Sequence, residues 1–244
     1  MFLVVRAKRI FLVLCLTIAA IGGIIIYSNR TLVPVFRMGA EAAAVYIIDA
    51  GHGGEDGGAV AQDGTVESDL NLAVARRVEG VLAFAGKKTV MTRRNENAVY
   101  DEGSATLREK KRSDLKNRAA QINRYDDAYL ISIHQNSLPA VPSVHGAQVF
   151  YNAANGAETM AGAVQEALNQ AVNQGNEKNE KAIDDSVYLM QQVRCPAILI
   201  ECGFLSNPAE TQALKSASYQ TELAVVIAAG VLNTTNGAAE HEEL

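Results

Sequence analysis

Short apolar runs alternate with amphipathic helical patterns from residue 44 onward. A β-branched run at 44–50 leads into a glycine-rich loop, and apolar residues then recur at 70, 74, 78 and 82, the spacing of one helix face. Further strand-like runs lie at 87–93, 127–134, 145–152 and 195–203, and helical patterns lie at 113–124 (with Ser113 as its expected N-cap), 157–173, 206–215 and 219–232. This alternation predicts an α/β fold, a single domain with a mostly parallel twisted sheet flanked by helices on both faces.

The N-terminal segment, 1–27, has a basic start and an apolar span from Ile10 to Tyr27. A helix of that span is about 27 Å long, close to the hydrocarbon thickness of a bilayer. Because no small-residue cleavage site follows closely, we expect an N-terminal hydrophobic helix that anchors the chain in a membrane, N terminus inside; a cleaved signal segment is the alternative. The predicted organisation continues with a spacer at 28–43, the main domain at 44–235 and a disordered tail at 236–244.

The charge of the chain is unevenly distributed and limits its partners. Five of the 22 Lys and Arg residues and none of the 27 acids precede residue 38, so the rest of the chain is strongly acidic. An acidic body lacks the basic surface that nucleic-acid binding requires, and we predict no nucleic-acid partner.

Cys195 and Cys202 flank a predicted strand that separates them by roughly 20 Å. A disulfide needs Cα atoms within about 7 Å, so both thiols are predicted to be free.

Three chemically able side chains lie at the ends of predicted strands. His52 follows the first strand inside the loop GHGGEDGG, His134 ends the strand at 127–134, and Glu201 ends the apolar part of the strand at 195–203. Ligands of open α/β sheets bind beyond the carboxyl ends of the strands, so these side chains can converge. Two histidines and one carboxylate form a common catalytic zinc site that leaves a coordination position for water.

The third zinc ligand is less certain from the residues alone. Glu67, at the start of the helix after the loop, is the best candidate, and Asp56 and Glu55 are rivals. Asp49 is expected to lie buried beneath the loop. Glu201 would take a proton from water and pass it to a leaving nitrogen if its apolar strand raises its pKa.

Other interpretations of these residues stay open at this point. His145 is a weaker alternative as third ligand. A histidine at a strand end is commonly a structural, hydrogen-bonded residue, and Glu201 could be an ordinary buried carboxylate paired with an arginine. Phosphate binding is disfavoured, because the glycine loop lacks the known phosphate-binding spacings and contains acids that repel phosphate.

Seven motifs occur in the order found in the zinc-dependent N-acetylmuramoyl-L-alanine amidases, a family that the chain resembles from about residue 45 to 233. They are IIDAGHGGEDGGAV, VESDLNLAVARRV, VMTRR, LKNRAAQIN, LISIHQNS, GAQVFY and AILIECGFLSNPAE. The short body, the single hydrophobic segment and the connector IDDSVYLMQQ most resemble the branch of this family that acts in the germination of spore-forming bacteria.

The resemblance implies one zinc ion per chain, bound by His52, Glu67 and His134, with Glu201 as catalytic base and acid. It thereby favours Glu67 over its rivals. The family usually has proline at the position of Gly57, a change that loosens the loop and removes no ligand.

Other positions depart from the family pattern or are candidate substrate contacts. Gln135 stands where a small or apolar residue is commoner, and Cys202 stands where Thr or Val is usual. Asn136, Arg93 and Arg118 are candidates for substrate binding, the two arginines through carboxylates of the substrate.

The implied activity is hydrolysis of the peptidoglycan amide between the lactyl group of N-acetylmuramic acid and L-alanine, in spore cortex maturation or germination. The location would be extracytoplasmic, either membrane-anchored or secreted to the cell wall. Residues 152–190 leave no room for the inserted helix that plugs the zinc site of some relatives, so regulation is expected from an activating protein partner or from timing of expression. The alternatives are a zinc peptidase or deacetylase acting on another cell-wall amide, or an inactive peptidoglycan-binding regulator.

Overall fold

The computed structural model describes residues 44–241, with side chains to residue 234. The strands are β1 (Val45–Ala50), β2 (Lys88–Met91), β3 (Ala128–Asn136), β4 (Gln148–Tyr151), β5 (Lys181–Ala182) and β6 (Ala197–Phe204). The helices are α1 (Glu67–Phe84), α2 (Leu107–Ile122), α3 (Ala157–Ala171), α4 (Tyr188–Gln192), α5 (Pro208–Lys215) and α6 (Ala217–His241).

The strands form one six-stranded sheet in the order β2-β1-β3-β6-β4-β5. Strands β2, β1, β3 and β6 are mutually parallel, whereas β4 pairs with β6 in the antiparallel sense and β5 runs parallel to β4. The prediction of a mostly parallel α/β sheet is confirmed. Its four parallel strands place their carboxyl ends along one edge, where the candidate residues were expected to meet.

Helices cover both faces of the sheet, as predicted. Along β1, Tyr46, Ile48 and Ala50 enter one hydrophobic cluster while Val45 and Ile47 enter another, the alternation expected of a strand buried on both sides. The first face packs against α1, α3 and α6, and the second packs against α2 and α4. The predicted apolar face of α1 is fully used, since its residues at 70, 74, 78 and 82 are all buried.

Helix α2 begins six residues earlier than predicted. Its N-cap is Thr106, whose side chain accepts from the backbone N–H of Glu109 while the Glu109 carboxylate accepts from the backbone of Thr106. This reciprocal capping box satisfies two donors that a helix start leaves unpaired. The expected N-cap, Ser113, lies inside the helix and instead accepts from the backbone N–H of Asp101.

Several predictions concern the ends of the chain. The anchor or signal segment at 1–27 and the spacer at 28–43 lie outside the described residues. Within 44–241 no helix is long and apolar enough to cross a membrane. Helix α6 extends to His241, which is inside the segment expected to be a tail. Cys195 and Cys202 are both free and buried, as predicted.

Candidate active site

The carboxyl ends of β3 and β6 place a histidine beside a glutamate. His134 and Glu201 are direct partners in the parallel register of these central strands. Side-chain alternation puts both on the second face of the sheet, together with Asp49 of β1 and Ser132 of β3. The pairing becomes irregular immediately beyond, because Asn136 pairs with Phe204, so that two residues on β3 are matched by three on β6.

The glycine-rich loop brings His52 over this pair, and its glycines make room for the neighbouring side chains. His52 has φ 59°, unusual for a residue with a side chain. A Cβ on Gly51 would lie 2.2 Å from Nε2 of His134, and a Cβ on Gly58 would lie 2.5 Å from Oε2 of Glu67. The loop therefore needs glycine at positions 51 and 58, because any larger residue would collide with His134 or Glu67.

Three side chains form the one cluster within residues 44–241 that could hold a metal ion: His52, Glu67 and His134. Oε1 of Glu67 lies 3.0 Å from Nδ1 of His134 and 3.3 Å from Nε2 of His52. Two ligands that are each about 2.1 Å from a tetrahedral zinc ion lie about 3.4 Å apart. The donor types and their spacing therefore fit zinc.

Further contacts orient the cluster from behind. Nδ1 of His52 lies 2.9 Å from Oδ2 of Asp56, which leaves Nε2 directed at the cluster. This carboxylate–histidine arrangement is common around bound metals. Burial lowers the pKa of His52, but its hydrogen bonds to Asp56 and Glu67 outweigh that effect and raise the pKa to about 9. The cluster is thus an electrostatic environment that favours positive charge.

The Glu67 carboxylate is held by donors from three parts of the chain. Its Oε1 accepts from the Asn71 amide at 3.1 Å and from the backbone N–H of Gln135 at 3.1 Å. Its Oε2 accepts from the backbone N–H of Ala59 at 2.9 Å. Burial raises the pKa of Glu67, but its bonds to the two histidines outweigh this and hold the pKa well below the usual range. Glu67 is therefore a rigid, ionised ligand candidate.

Glu201 differs from these residues because one of its oxygens has no partner. Its Oε2 is buried and accepts no hydrogen bond from any described residue. Burial raises the pKa of Glu201 to about 7, although the neighbouring His134 opposes the shift. A carboxylate with such a pKa can both accept and return a proton near neutral pH, which is what a general base and acid requires.

Arg118 is buried beneath the loop. It is 1% exposed and pairs with Asp49 and Asp114, each at 2.8 Å. The same guanidinium donates to the backbone carbonyls of Ala50, at 2.7 Å, and His52, at 2.6 Å. Burial raises the pKa of Asp49, but Arg118 and two hydroxyl donors outweigh this effect and lower it to about 2. This ion pair fixes the backbone on which His52 is placed.

Arg93 supports the same turn from the other side. It is 4% exposed and donates to the carbonyls of Ala50, Gly51, Ser68 and Asn95 at 2.8 to 2.9 Å. The guanidinium groups of Arg93 and Arg118 donate to partners inside the protein. They therefore hold the loop in place, and this role differs from the substrate contact predicted for them.

The remaining candidates have distinct positions. His145 is exposed and has Nδ1 3.0 Å from the carbonyl oxygen of Ser143, away from the cluster. Glu55 is exposed and pairs with Lys110. Asn136 lies at the end of β3, where its Oδ1 accepts from its neighbour's N–H, and its contact with substrate stays a prediction.

Sequence reasoning missed the supporting residues Asn71 and Asp114. Asn71 lies four residues after Glu67 in α1, and Asp114 lies four residues before Arg118 in α2. Spacings of four on a helix bring side chains together, and this signal was available in both cases.

Two half-buried histidines and a buried glutamate beside Glu201, at the carboxyl edge of a mostly parallel sheet, are typical of metal-dependent hydrolases. The chain belongs to the N-acetylmuramoyl-L-alanine amidase family, whose model matches residues 47–233.

Individual relatives agree with this assignment. The germination-specific N-acetylmuramoyl-L-alanine amidase of Bacillus subtilis is 37% identical over 191 residues, which cover 77% of this chain and 78% of that protein. The solved structure of the CwlD amidase from Clostridioides difficile in complex with the GerS lipoprotein matches with a TM-score of 0.75 and 34% identity, covering 79% of this chain and 98% of that one. A second amidase structure, from Clostridium difficile 630, matches with a TM-score of 0.69 and 28% identity over 80% of this chain and 98% of that one.

Proposed function

We propose that the protein hydrolyses the amide between the lactyl group of N-acetylmuramic acid and the L-alanine of the peptidoglycan stem peptide. Family membership over residues 47–233 supports the reaction class. The observation that carries the proposal is the pairing of Glu201, with its unpartnered buried oxygen, beside His134 in a cluster fit for a metal.

Zinc is the proposed metal, held by His52, Glu67 and His134. When bound, zinc polarises the scissile carbonyl and makes a water molecule a stronger acid. Asp56 orients the His52 ring through Nδ1, so that Nε2 is the nitrogen presented to the metal. The buried arginines hold the backbone of the loop so that this geometry exists before substrate arrives.

Glu201 is the proposed base and acid. Its carboxylate accepts a proton from the attacking water and is then a neutral acid. It returns that proton to the nitrogen of L-alanine as the carbon–nitrogen bond breaks, so the products are a free lactyl carboxylate and a free amine. The raised pKa of Glu201 suits both halves of this cycle.

The setting of the reaction is proposed from the relatives. The Bacillus subtilis relative is named as germination-specific, which supports a role in the spore cortex. The Clostridioides difficile relative was solved with a lipoprotein, which supports an activating protein partner here. We propose an extracytoplasmic location, with the N-terminal segment as membrane anchor. Full activity of the purified protein on cortex peptidoglycan, with zinc and no added protein, would contradict the need for a partner.

The decisive experiment compares the full-length protein with its Glu201→Gln variant on purified peptidoglycan. Both are loaded with zinc, their zinc content is measured, and the released products are identified by mass spectrometry. We expect wild type to release peptides that begin with L-alanine and the variant, with equal zinc, to release them at a small residual rate. Release of acetate or of peptides cut elsewhere would identify a deacetylase or a peptidase. Bound substrate with no product from wild type, whether it is assayed alone or together with the protein partner, would identify an inactive regulator.

A further inference from the structure

A cleft of about 440 Å³ lies near the candidate active site and shares no lining residue with the cavity that contains the two histidines. Three segments line it: 60–63 before α1, 137–142 after β3, and 205–212, which runs from the end of β6 into α5. Its volume is in the range of pockets that hold small organic ligands.

The walls of the cleft are adjacent in sequence to residues that support the metal-ligand candidates. Ala59, whose N–H donates to Glu67, is followed directly by the cleft residue Val60. The backbone N–H of Leu205 donates to the carbonyl oxygen of Asn136 at 2.8 Å, which joins the two walls that continue β3 and β6. Two walls of the cleft therefore begin within two residues of backbone groups that hold Glu67, since Ala59 precedes Val60 and Gln135, which also donates to Glu67, lies two residues before Ser137.

The walls of the cleft combine apolar groups with neutral hydrogen-bonding groups. The apolar residues are Val60, Ala61, Pro139, Pro142, Leu205 and Pro208, and the neutral polar ones are Gln62, Ser137, Ser206, Thr211 and Gln212.

Asp63 is the one charged residue in the described lining, and its charge is already engaged. It pairs with Lys215 at 2.9 Å and accepts from the Gln212 amide at 3.0 Å and from the Thr65 hydroxyl at 2.7 Å. A charged ligand buried in this cleft would find no cation or anion to replace its water.

The cavity that contains the two histidines differs from the cleft because charged residues line it. It measures about 200 Å³ and is bordered by His52, His134 and charged residues that form ion pairs. Arg118 pairs with Asp49 and Asp114, and the half-exposed Lys111 pairs with Asp56. Nζ of Lys111 lies 3.2 Å from Oδ1 and 3.1 Å from Oδ2 of Asp56, which leaves one of its three N–H donors for a second carboxylate.

The two arms of the proposed substrate differ in the same way. The glycan consists of N-acetylated sugars, which offer hydroxyls, neutral amides and apolar ring faces. Its lactyl carboxyl is taken up in the scissile amide and carries no charge. The stem peptide, in contrast, carries ionised carboxylates beyond its L-alanine.

We propose that the cleft bounded by 60–63, 137–142 and 205–212 binds the glycan arm as uncharged N-acetylated amino sugars, and that the peptide arm leaves through the cavity near Lys111. The proposal rests on the proposed function and assigns the direction in which the substrate crosses the site.

The test uses two substrates that share the scissile amide. One is a disaccharide–tetrapeptide from peptidoglycan, and the other is the matching lactyl-tetrapeptide without sugar. Val60→Trp narrows the cleft from an exposed position, and Val225→Trp adds the same bulk at an exposed position of α6 outside the cleft lining. We measure KM and kcat of the full-length, zinc-loaded proteins, and we titrate N,N′-diacetylchitobiose and free tetrapeptide into each by calorimetry as a readout independent of turnover.

We expect Val60→Trp to raise the KM for the disaccharide substrate at least tenfold more than for the lactyl-peptide, with kcat changed much less, and to weaken chitobiose binding but not peptide binding. Val225→Trp should match wild type. A KM for the disaccharide substrate within twofold of wild type in Val60→Trp would overturn the proposal, as would an equal rise for both substrates. Cleavage of neither substrate by wild type, with or without the protein partner, would instead refute the proposed function.

Discussion

Replacement of Gly51 by alanine is a one-methyl perturbation aimed at His134. The added Cβ would lie 2.2 Å from Nε2, 2.3 Å from Cε1 and 2.7 Å from Cδ2 of the imidazole, which are Nε2 and the two carbons bonded to it. Gly51 has no positive φ, and its backbone bonds to Ile133, Asn71 and Arg93 do not involve a side chain of its own. The effect should therefore come from the methyl group alone.

The magnitude follows from the distances. Carbon atoms pack at about 3.5 Å or more, so the His134 ring has to move by about 1.3 Å. Metal–ligand distances tolerate about 0.2 Å, so the displacement is several times larger than the site accepts. Loss of a supporting contact costs about 10- to 100-fold in metal affinity, and displacement of a ligand should cost at least the upper value, about 2.7 kcal/mol.

Zinc affinity is measured by competition with a chromophoric chelator, and the fold of the metal-free variant is checked by urea denaturation. Gly80→Ala is the matched control, because a Cβ there meets nothing within 4 Å and Gly80 lies inside α1. It should keep wild-type zinc affinity and gain up to about 1 kcal/mol of stability. Zinc binding by Gly51→Ala within threefold of wild type would refute the assignment of His134 as a ligand or the geometry around it.

Three further outcomes are expected. Activity of wild type should fall as pH drops through the pKa of Glu201, which burial raises from 4.5 to about 7, because only the carboxylate form can accept the proton; the small residual activity of Glu201→Gln should lack this dependence in a pH–rate profile. Asp56→Ala should weaken zinc binding about 10- to 100-fold in chelator competition, and an unchanged affinity would show that the His52–Asp56 bond does not orient the ligand. Arg118→Met should lower the free energy of unfolding by about 3 to 5 kcal/mol in urea, because Asp49 and Asp114 would be left buried without their cation; a loss below 1 kcal/mol would contradict the buried ion-pair assignment.

The sheet could be predicted because its strands are marked by composition. β1, β3 and β6 contain apolar, partly β-branched runs that are followed by Gly51, His134 and Glu201, so both their existence and their functional ends are visible in the chain. β5 has two exposed residues and no such pattern, since its pairing with β4 depends on the fold around it. The start of α2 was missed although Thr106 and Glu109 form a recognisable capping box, because the polar first turns of that helix carry no apolar periodicity.

The candidate site could likewise be predicted only in part from the sequence. The positions of His134 and Glu201 followed from the predicted strand ends, and the position of His52 followed from the glycine-rich loop. The roles of the acids and arginines could not be read in the same way, because they depend on burial and on partners far away in sequence. Arg118 carries the charge expected of a residue that binds an anionic substrate. Its partner Asp49, however, is 69 residues away in sequence, and both residues are buried under the loop. Asp56 lies four residues after His52, so the sequence alone makes it a candidate metal ligand. The structure shows that Asp56 instead contacts Nδ1 of His52, the ring nitrogen that faces away from the cluster.

The irregular pairing after His134 and Glu201 has a consequence for how such an enzyme can diversify. Up to this pair, the regular ladder between β3 and β6 determines how far apart the two side chains lie. Beyond it, the extra residue on β6 releases the following backbone from that register. Insertions and substitutions after Phe204 can then accumulate without altering the spacing of the reacting groups. Selection or laboratory engineering can therefore change which substrates the protein recognises without changing the geometry of its catalytic residues.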